Sequence, residues 1–288
     1  MKAGYVAIIG KPNVGKSTLL NRLIATKLSI VSAKPQTTRQ RVLGVLTEGD
    51  YQCYFIDTPG ILAPAYELQK RMLLEIKNSL KDADIVIWVI DPWFKTANSA
   101  EAMAGIEINR SWICAINKID LVAPLTILPL IDRLRVHQMS DIIPLSALTG
   151  QNIDALKRTI FKKLPENRFV YPEEYISDRP ERFFVAEIIR EQIYHLYAEE
   201  IPYSTCVIID EYKEREQAKD FIRAIIYVER DSQKGIIVGK QGKTLKKVGT
   251  ISRKAIEAFT GRTVYLELWV KVKENWRKNK EFLKELGF

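Results

Sequence analysis

A chain of 288 residues has room for two hydrophobic cores, since single cores stop growing near about 250–300 residues. Its 47% hydrophobic content excludes a disordered polymer, and apolar runs such as Ile85–Ile90 are far too short to span a bilayer. The net charge of +9 is carried by residues 232–288, which hold 14 Lys/Arg against 5 Asp/Glu; residues 1–231 are neutral, with 30 of each sign. The C-terminal part therefore suits a polyanion, the plainer alternative being a solvated lysine-rich surface.

The N-terminal run, MKAGYVAIIG, is too short for a secretory signal and reads as a strand, so an intracellular location is expected. Cys53, Cys114 and Cys206 fit no metal or redox spacing and sit in apolar runs, as buried free thiols would. His137 and His195 stand apart from other polar candidates, which argues against histidine chemistry.

From Tyr5 to about Leu164, apolar runs (Tyr5–Ile9, Tyr51–Ile56, Ile85–Ile90, Ile113–Asn117, Ile142–Pro144) alternate with helical patterns. Runs this uniformly apolar suit parallel strands covered on both faces, so residues 1–164 are expected to form a doubly wound, mostly parallel α/β domain.

Between the first run and a helical pattern from Ser17 lies Gly10-Lys11-Pro12-Asn13-Val14-Gly15-Lys16-Ser17, a full G-x-x-x-x-G-K-[ST] phosphate loop in the strand-to-helix context it needs. Its glycines let backbone N–H groups face phosphates, and the helix N-terminus, with Thr18 following, adds its dipole. Lys16 would reach the β- and γ-phosphates, and the Ser17 hydroxyl would ligate Mg²⁺. Asp57-Thr58-Pro59-Gly60 ends the next run: Asp57 is placed to hold Mg²⁺ through water, and Gly60 to offer its N–H to the γ-phosphate. Asn117-Lys118-Ile119-Asp120 ends another. The Asp120 carboxylate can accept two hydrogen bonds from guanine, which adenine cannot supply. Asn117 would tie this loop to the phosphate loop, and the Lys118 stem would cover the base. In Ser146-Ala147-Leu148 the Ala147 N–H would meet guanine O6.

In this order the four motifs resemble the translation-factor-related class of P-loop GTPases. That resemblance puts a switch loop at Pro35-Gln36-Thr37-Thr38-Arg39, with Thr38 preferred over Thr37 as the residue that ligates Mg²⁺ and contacts the γ-phosphate. Lys16, Thr38 and Gly60 are then the residues nearest the chemistry. Where Ras-like enzymes place a water-orienting Gln, this chain has Ile61, so unaided hydrolysis should be slow. In relatives with Asn at the position of Asn13, that side chain helps bind K⁺ beside the phosphates; a structural Asn is the equal alternative.

Pro165–Pro180, with three prolines and many charges, reads as a linker. Residues 181–288 then change order: helix (Phe183–Glu200), strands (Ser204–Tyr212, Ile222–Arg230), helices (Ser232–Val238, Lys243–Phe259), strand (Thr263–Val272) and a C-terminal helix (Asn279–Leu286). Gly239-Lys240-Gln241-Gly242 sits between the paired helices, with Lys234, Lys243, Lys246 and Lys247 around it. This order, with a G-x-x-G loop, is that of an α+β type II KH domain, whose loop clamps the backbone of about four nucleotides. Ile236, Ile237 and Val238 would floor a base groove or belong to the core. Trp269 and Trp276, interleaved with Lys271, Lys273, Arg277, Lys278 and Lys280, would stack on single-stranded RNA or pack inside.

Together these segments resemble the Era GTPases of bacteria, from about Tyr5 to Phe288: GKPNVGKSTLLN, PQTTRQR, DTPGI, NKID and SAL in the first half, DRPERFFVAEIIREQI at the junction, and GIIVGKQGKTLKKVGTISRKAIEAFTGRTVYLELWVKVKENWRKN in the second. Lys81–Arg110 is less typical. The resemblance implies a monomeric GTPase using Mg²⁺. It would bind 16S rRNA near its 3′ end and assist assembly of the 30S subunit in the cytoplasm. It would also associate peripherally with the anionic inner membrane. The competing reading is a GTPase whose basic C-terminal domain acts on a membrane surface or a protein partner.

Overall fold

The computed structural model describes residues 1–32, 34–94, 111–136 and 139–288; His137 and residues 95–110 of the atypical Lys81–Arg110 stretch lie outside these. The chain divides into two compact units, one of Met1–Ala65 with Gln69–Asp178, the other of Arg179–Phe288 with Tyr66–Leu68.

The first unit is built on strands β1 (Lys2–Ile9), β2 (Val42–Glu48), β3 (Tyr51–Asp57), β4 (Ile85–Ile90), β5 (Ser111–Ile116) and β6 (Ile142–Pro144). Their order is β2-β3-β1-β4-β5-β6, and only β2 runs antiparallel, to β3. β1 thus pairs with β3 on one side and β4 on the other, which opens a crevice at its C-terminal end, where doubly wound sheets bind ligands. Around the sheet lie α1 (Lys16–Ile24), α2 (Glu67–Asp82), α3 (Leu128–Val136) and α4 (Ile153–Lys163). α1 buries the stripe Leu19, Leu20, Leu23 and Ile24, leaving its N-terminus at the crevice.

β2 has no counterpart among the expected strands: Gly44 interrupts its apolar run, and only pairing with β3 through the turn at Gly49-Asp50 makes it a strand. Residues 165–178 are not a free linker. Phe169, Tyr171 and Tyr175 pack on Leu43, Val45, Tyr54 and Ile56, and the Val45 N–H donates to the Ile176 carbonyl at 2.8 Å. Aromatic burial outweighs the proline and charge content from which a linker was inferred.

The second unit runs α5 (Glu181–Leu196), α6 (Ile201–Ser204), β7 (Cys206–Lys213), β8 (Asp220–Val228), α7 (Asp231–Val238), α8 (Lys243–Thr260), β9 (Val264–Val272) and α9 (Lys280–Glu285). Its sheet is β7-β8-β9, antiparallel then parallel, and alternate residues of β8 and β9 (Ile222, Ala224, Ile226, Val228; Val264, Val270) form one core with Val185, Ile189, Ile193, Ile237, Val248 and Ile256 of the helices. This is the expected α+β arrangement. The three cysteines are free and buried, and burial pushes the Cys53 and Cys114 thiols up to about 12. Among the described residues no helix is long and apolar enough to cross a membrane.

Candidate functional site

The segment Gly10–Gly15 joins the C-terminal end of β1 to α1. Gly15 caps the helix at φ +98°, and a Cβ there would stand 2.2 Å from Asn117 Nδ2, so no other residue fits without displacing that side chain. Lys16 is only 6% exposed, and its Nζ donates to the Lys11 carbonyl at 3.0 Å, folding the ammonium over the loop. Burial draws the Lys16 pKa down to about 8, against the attraction of Asp57.

Asp57, at the end of β3, is fully buried. Burial pushes its carboxyl up, while Lys16, Ser17, Ser29 and Thr38 act in the opposite direction. Ser17 Oγ lies 2.7 Å from Asp57 Oδ2, Thr38 Oγ1 3.1 Å from the same oxygen, and the two hydroxyls 2.8 Å from each other. With Asp57 ionised, two hydroxyl protons serve three close oxygen–oxygen approaches, so one of them sets lone pair against lone pair. Asp57 Oδ1 is buried with no partner among the described residues. An oxygen-rich cluster around a buried carboxylate fits a hard cation such as Mg²⁺. Thr38, rather than Thr37, is the switch threonine that reaches this cluster.

The Asp57–Gly60 segment docks on the phosphate loop. Thr58 Oγ1 donates to the Ile8 carbonyl at 2.8 Å, Gly60 lies directly against Pro12, and the Ile61 N–H donates to the Gly10 carbonyl at 3.1 Å. On the base side, buried Asn117 donates from Nδ2 to the Val14 carbonyl at 2.8 Å, and its Oδ1 accepts from the Ala147 N–H at 2.9 Å. The N–H expected to meet guanine O6 is therefore engaged with Asn117 here. Asp120 is exposed in a one-turn helix that follows left-handed Lys118 (φ 65°). Thr18, Ala147 and Leu148 line a depression of about 440 Å³, in which Ser146 takes no part. Arg22 had no motif to announce it: its guanidinium donates to the Ala147 carbonyl at 3.1 Å and to the Leu148 carbonyl, holding the base loop to α1.

In the second unit, Gly239 (φ +69°) is confined by Thr244, whose Oγ1 would lie 2.0 Å from any Cβ added there. Lys240, Gln241, Lys243, Lys246 and Lys247 line the surface beside it, and Ile236 is 50% exposed. Ile237 is core, because the period of α7 turns it onto the sheet. A groove of about 610 Å³ runs from Gly242 between α8 (Leu245, Lys246, Gly249, Arg253) and the unpaired edge of β9. The 245–249–253 spacing on one helix face was the available signal for that wall.

The two tryptophans separate. Trp276 is 0% exposed and donates to the Ser204 carbonyl at 2.8 Å, while Trp269 is 51% exposed and bonded to Glu267 at 2.9 Å. Arg277 is engaged in an ion pair with Glu229. Trp276 and Arg277 thus belong to the packing of the second unit, so of the two alternatives the packed one holds for Trp276.

Residues 5–118 match the family described as 50S ribosome-binding GTPase, and residues 200–277 match the KH domain family. GTPase Era of Lactobacillus delbrueckii subsp. bulgaricus is 44% identical over 100% of this chain and 96% of its own length. The chain belongs to the Era GTPase family. GTPase Era of Staphylococcus epidermidis is likewise 44% identical, over 100% of this chain and 97% of its own. Two solved Era structures share the fold of this Era-family chain over its full length. A variant of Aquifex aeolicus Era bound to GDP·AlF4⁻ has a TM-score of 0.96 at 43% identity, covering 100% of this chain and 99% of that one. Era in complex with MgGDPNP and nucleotides 1506–1542 of 16S ribosomal RNA has a TM-score of 0.95 at 44% identity, with the same coverage.

Proposed function

We propose that this Era-family chain binds and hydrolyses GTP, holds 16S rRNA near its 3′ end through the KH loop and groove, and serves assembly of the 30S subunit. The observation that carries this is the full-length likeness to an Era structure that holds MgGDPNP and 16S nucleotides together. The match to the 50S ribosome-binding GTPase family covers residues 5–118 alone, so the RNA-bound full-length relative is the better guide.

In this reading the backbone of Gly10–Thr18, with Lys11, Pro12, Asn13 and Val14, cradles the phosphates, and Lys16 exchanges its bond to the Lys11 carbonyl for phosphate oxygens. Ser17, Thr38 and Asp57 hold Mg²⁺, which when bound neutralises charge on the β- and γ-phosphates. Gly60 presents its N–H to the γ-phosphate, with Thr58 and Pro59 fixing its approach. Asp120 reads guanine and the Lys118 stem covers it, while Asn117 ties the Ser146-Ala147-Leu148 loop to the phosphate loop; the Ala147 N–H meets guanine O6 only by giving up its bond to Asn117 Oδ1. Because the Ile61 side chain cannot hydrogen-bond a water, unstimulated turnover should sit at roughly 10⁻⁴ to 10⁻² s⁻¹.

Gly239 and Gly242 bring phosphates to the main chain. Lys240, Lys243, Lys246 and Lys247 neutralise them, with Gln241 and Ile236 beside the RNA. A cytoplasmic monomer that associates peripherally with the inner membrane completes the reading. Crosslinking to cellular RNA with position mapping tests it: crosslinks at the 16S 3′ end are expected, and their absence together with sedimentation on anionic vesicles would favour the membrane alternative.

A further inference from the structure

The helices of the second unit cover one face of its sheet. On the other face, Phe221, Arg223 and Ile225 of β8 lie in register with Tyr265, Glu267 and Trp269 of β9. Tyr265 is 59% exposed and Trp269 51%. Exposed apolar residues scattered singly are ordinary. These two share a face, four residues or about 13 Å apart along one strand, and each ring is held. Tyr265 stacks on Phe221, with centroids 5.9 Å apart and planes 15° from parallel, and the Arg215 and Arg223 guanidinium groups lie over Phe221 at 5.8 and 5.2 Å. Trp269 Nε1 donates to Glu267 at 2.9 Å, which draws the indole along the strand, and Glu267 accepts a second bond from Arg223 at 2.9 Å. Rings already fixed lose little freedom when a ligand stacks on them.

Two observations say what would cover this face. Tyr265 also lines the groove beside α8, together with Lys219 and Arg253, so a strand that leaves the groove over the edge of β9 arrives directly at its ring. The carboxylates of the face are compensated in place: Asp210, Glu211 and Glu267 lie 3.8, 3.0 and 2.9 Å from Arg223, and Glu211 also pairs with Lys213. Lys271, two residues beyond Trp269 on the same face, is exposed and placed to meet a phosphate. The Glu267–Arg223 pair separates the two rings and breaks up the apolar area that the core of a protein interface would need. Bases need only separate rings, since each base has a π-face of its own.

Resting on the RNA reading above, we propose that the outer face of β9 is a second RNA subsite. Single-stranded RNA continues from the groove over the edge of β9 and stacks bases on Tyr265 and Trp269, with Lys271 at the backbone. The loop and groove hold about four nucleotides. The outer face lengthens the bound segment, and it does so without reading sequence, because stacking tolerates any base.

The test is the affinity of the full chain for two single strands cut from the 3′ end of 16S rRNA, one of about four nucleotides and one of about twelve. Wild type should bind the longer strand more tightly. Trp269→Ala should weaken the longer strand by about 5–150-fold, the range for one stacked base, and leave the shorter strand and GTP as in wild type. Trp269→Phe keeps a ring but loses the bond to Glu267, and it should retain most of the affinity for the longer strand. Equal weakening of both strands in Trp269→Ala would make Trp269 a packing residue and overturn the proposal. Unchanged binding of the longer strand would overturn it too and leave the face to a protein partner. If wild type bound neither strand, the RNA reading itself would fail, and the second subsite with it.

Discussion

The phosphate loop and the KH loop start from one local device and develop it in opposite directions. Each ends in a left-handed glycine that caps a helix, Gly15 on α1 and Gly242 on α8. Each helix opens with lysine (Lys16, Lys243), and neither has an acidic residue in its first turn. A helix N-terminus of this kind attracts phosphate wherever it occurs. Around α1 the fold closes: Lys16, Thr38, Asp57, Asn117 and Ser146 are all buried. Around α8 it stays open, with Lys240, Lys243, Lys246 and Lys247 reaching solvent. A closed site selects one small ligand by geometry. An open, basic one accepts a length of polyanion and leaves discrimination to the groove beside it.

The largest effect should come from adding a methyl group to each cap. Gly15→Ala must displace Asn117 and hold φ near +98°, so GTP affinity should fall by at least roughly a hundredfold in a nucleotide titration. Gly242→Ala meets nothing within 4 Å in the RNA-free protein and carries the left-handed cost of about 1–2 kcal/mol, so its effect on RNA affinity should be the smaller of the two, about thirtyfold. Equal losses would erase the distinction between closed and open sites.

Asp120→Asn comes next. It replaces two acceptors with one acceptor and one donor, which should weaken GTP by about 1–3 kcal/mol and favour xanthine nucleotide. A competition assay with both nucleotides checks this, and unchanged GTP affinity would end the assignment of Asp120 to the base.

For the open site, Lys240→Asp with Gln241→Asp leaves both glycines of the loop in place and sets two negative charges against phosphates. RNA binding measured at several salt concentrations should weaken, with the salt slope reduced by about 0.7 for each phosphate that is no longer neutralised. GTP affinity should not change. If the double variant binds RNA as wild type does, the clamp lies elsewhere in the second unit, and Trp269 is the exposed aromatic to test first.

The smallest effect concerns Asn13, exposed at φ 63° on the rim of the closed site. K⁺ in place of Na⁺ should raise turnover if Asn13 helps hold the ion, and equal rates in the two salts would leave it a loop residue.

Much of this was legible in the chain itself because it is local. The glycine loop between Ile9 and Ser17 is one contiguous signal, and so is each strand that is apolar on both faces. The Gly239–Gly242 loop is contiguous too, flanked by helical periods. β2 was not legible, because half of its evidence is the hydrogen bonding of β3. The packing of residues 165–178 was hidden for a similar reason: Phe169, Tyr171 and Tyr175 have no periodicity of their own and acquire meaning only against the face of β2 and β3.

By itself the sequence determined the two fold classes, the order of the motifs along them and the charge asymmetry between the halves, since these depend on residue type and spacing. Tertiary structure decided which side chains meet. Ser17, Thr38 and Asp57 come from three separate segments and converge only because β1 lies beside β3 with the switch loop folded across its end. It also decided that Trp276 is core while Trp269 faces solvent, and that Arg22 attends a nucleotide site whose motifs do not include it. Burial and orientation belong to the environment a residue finds, and for these positions that environment is assembled from residues distant in the chain.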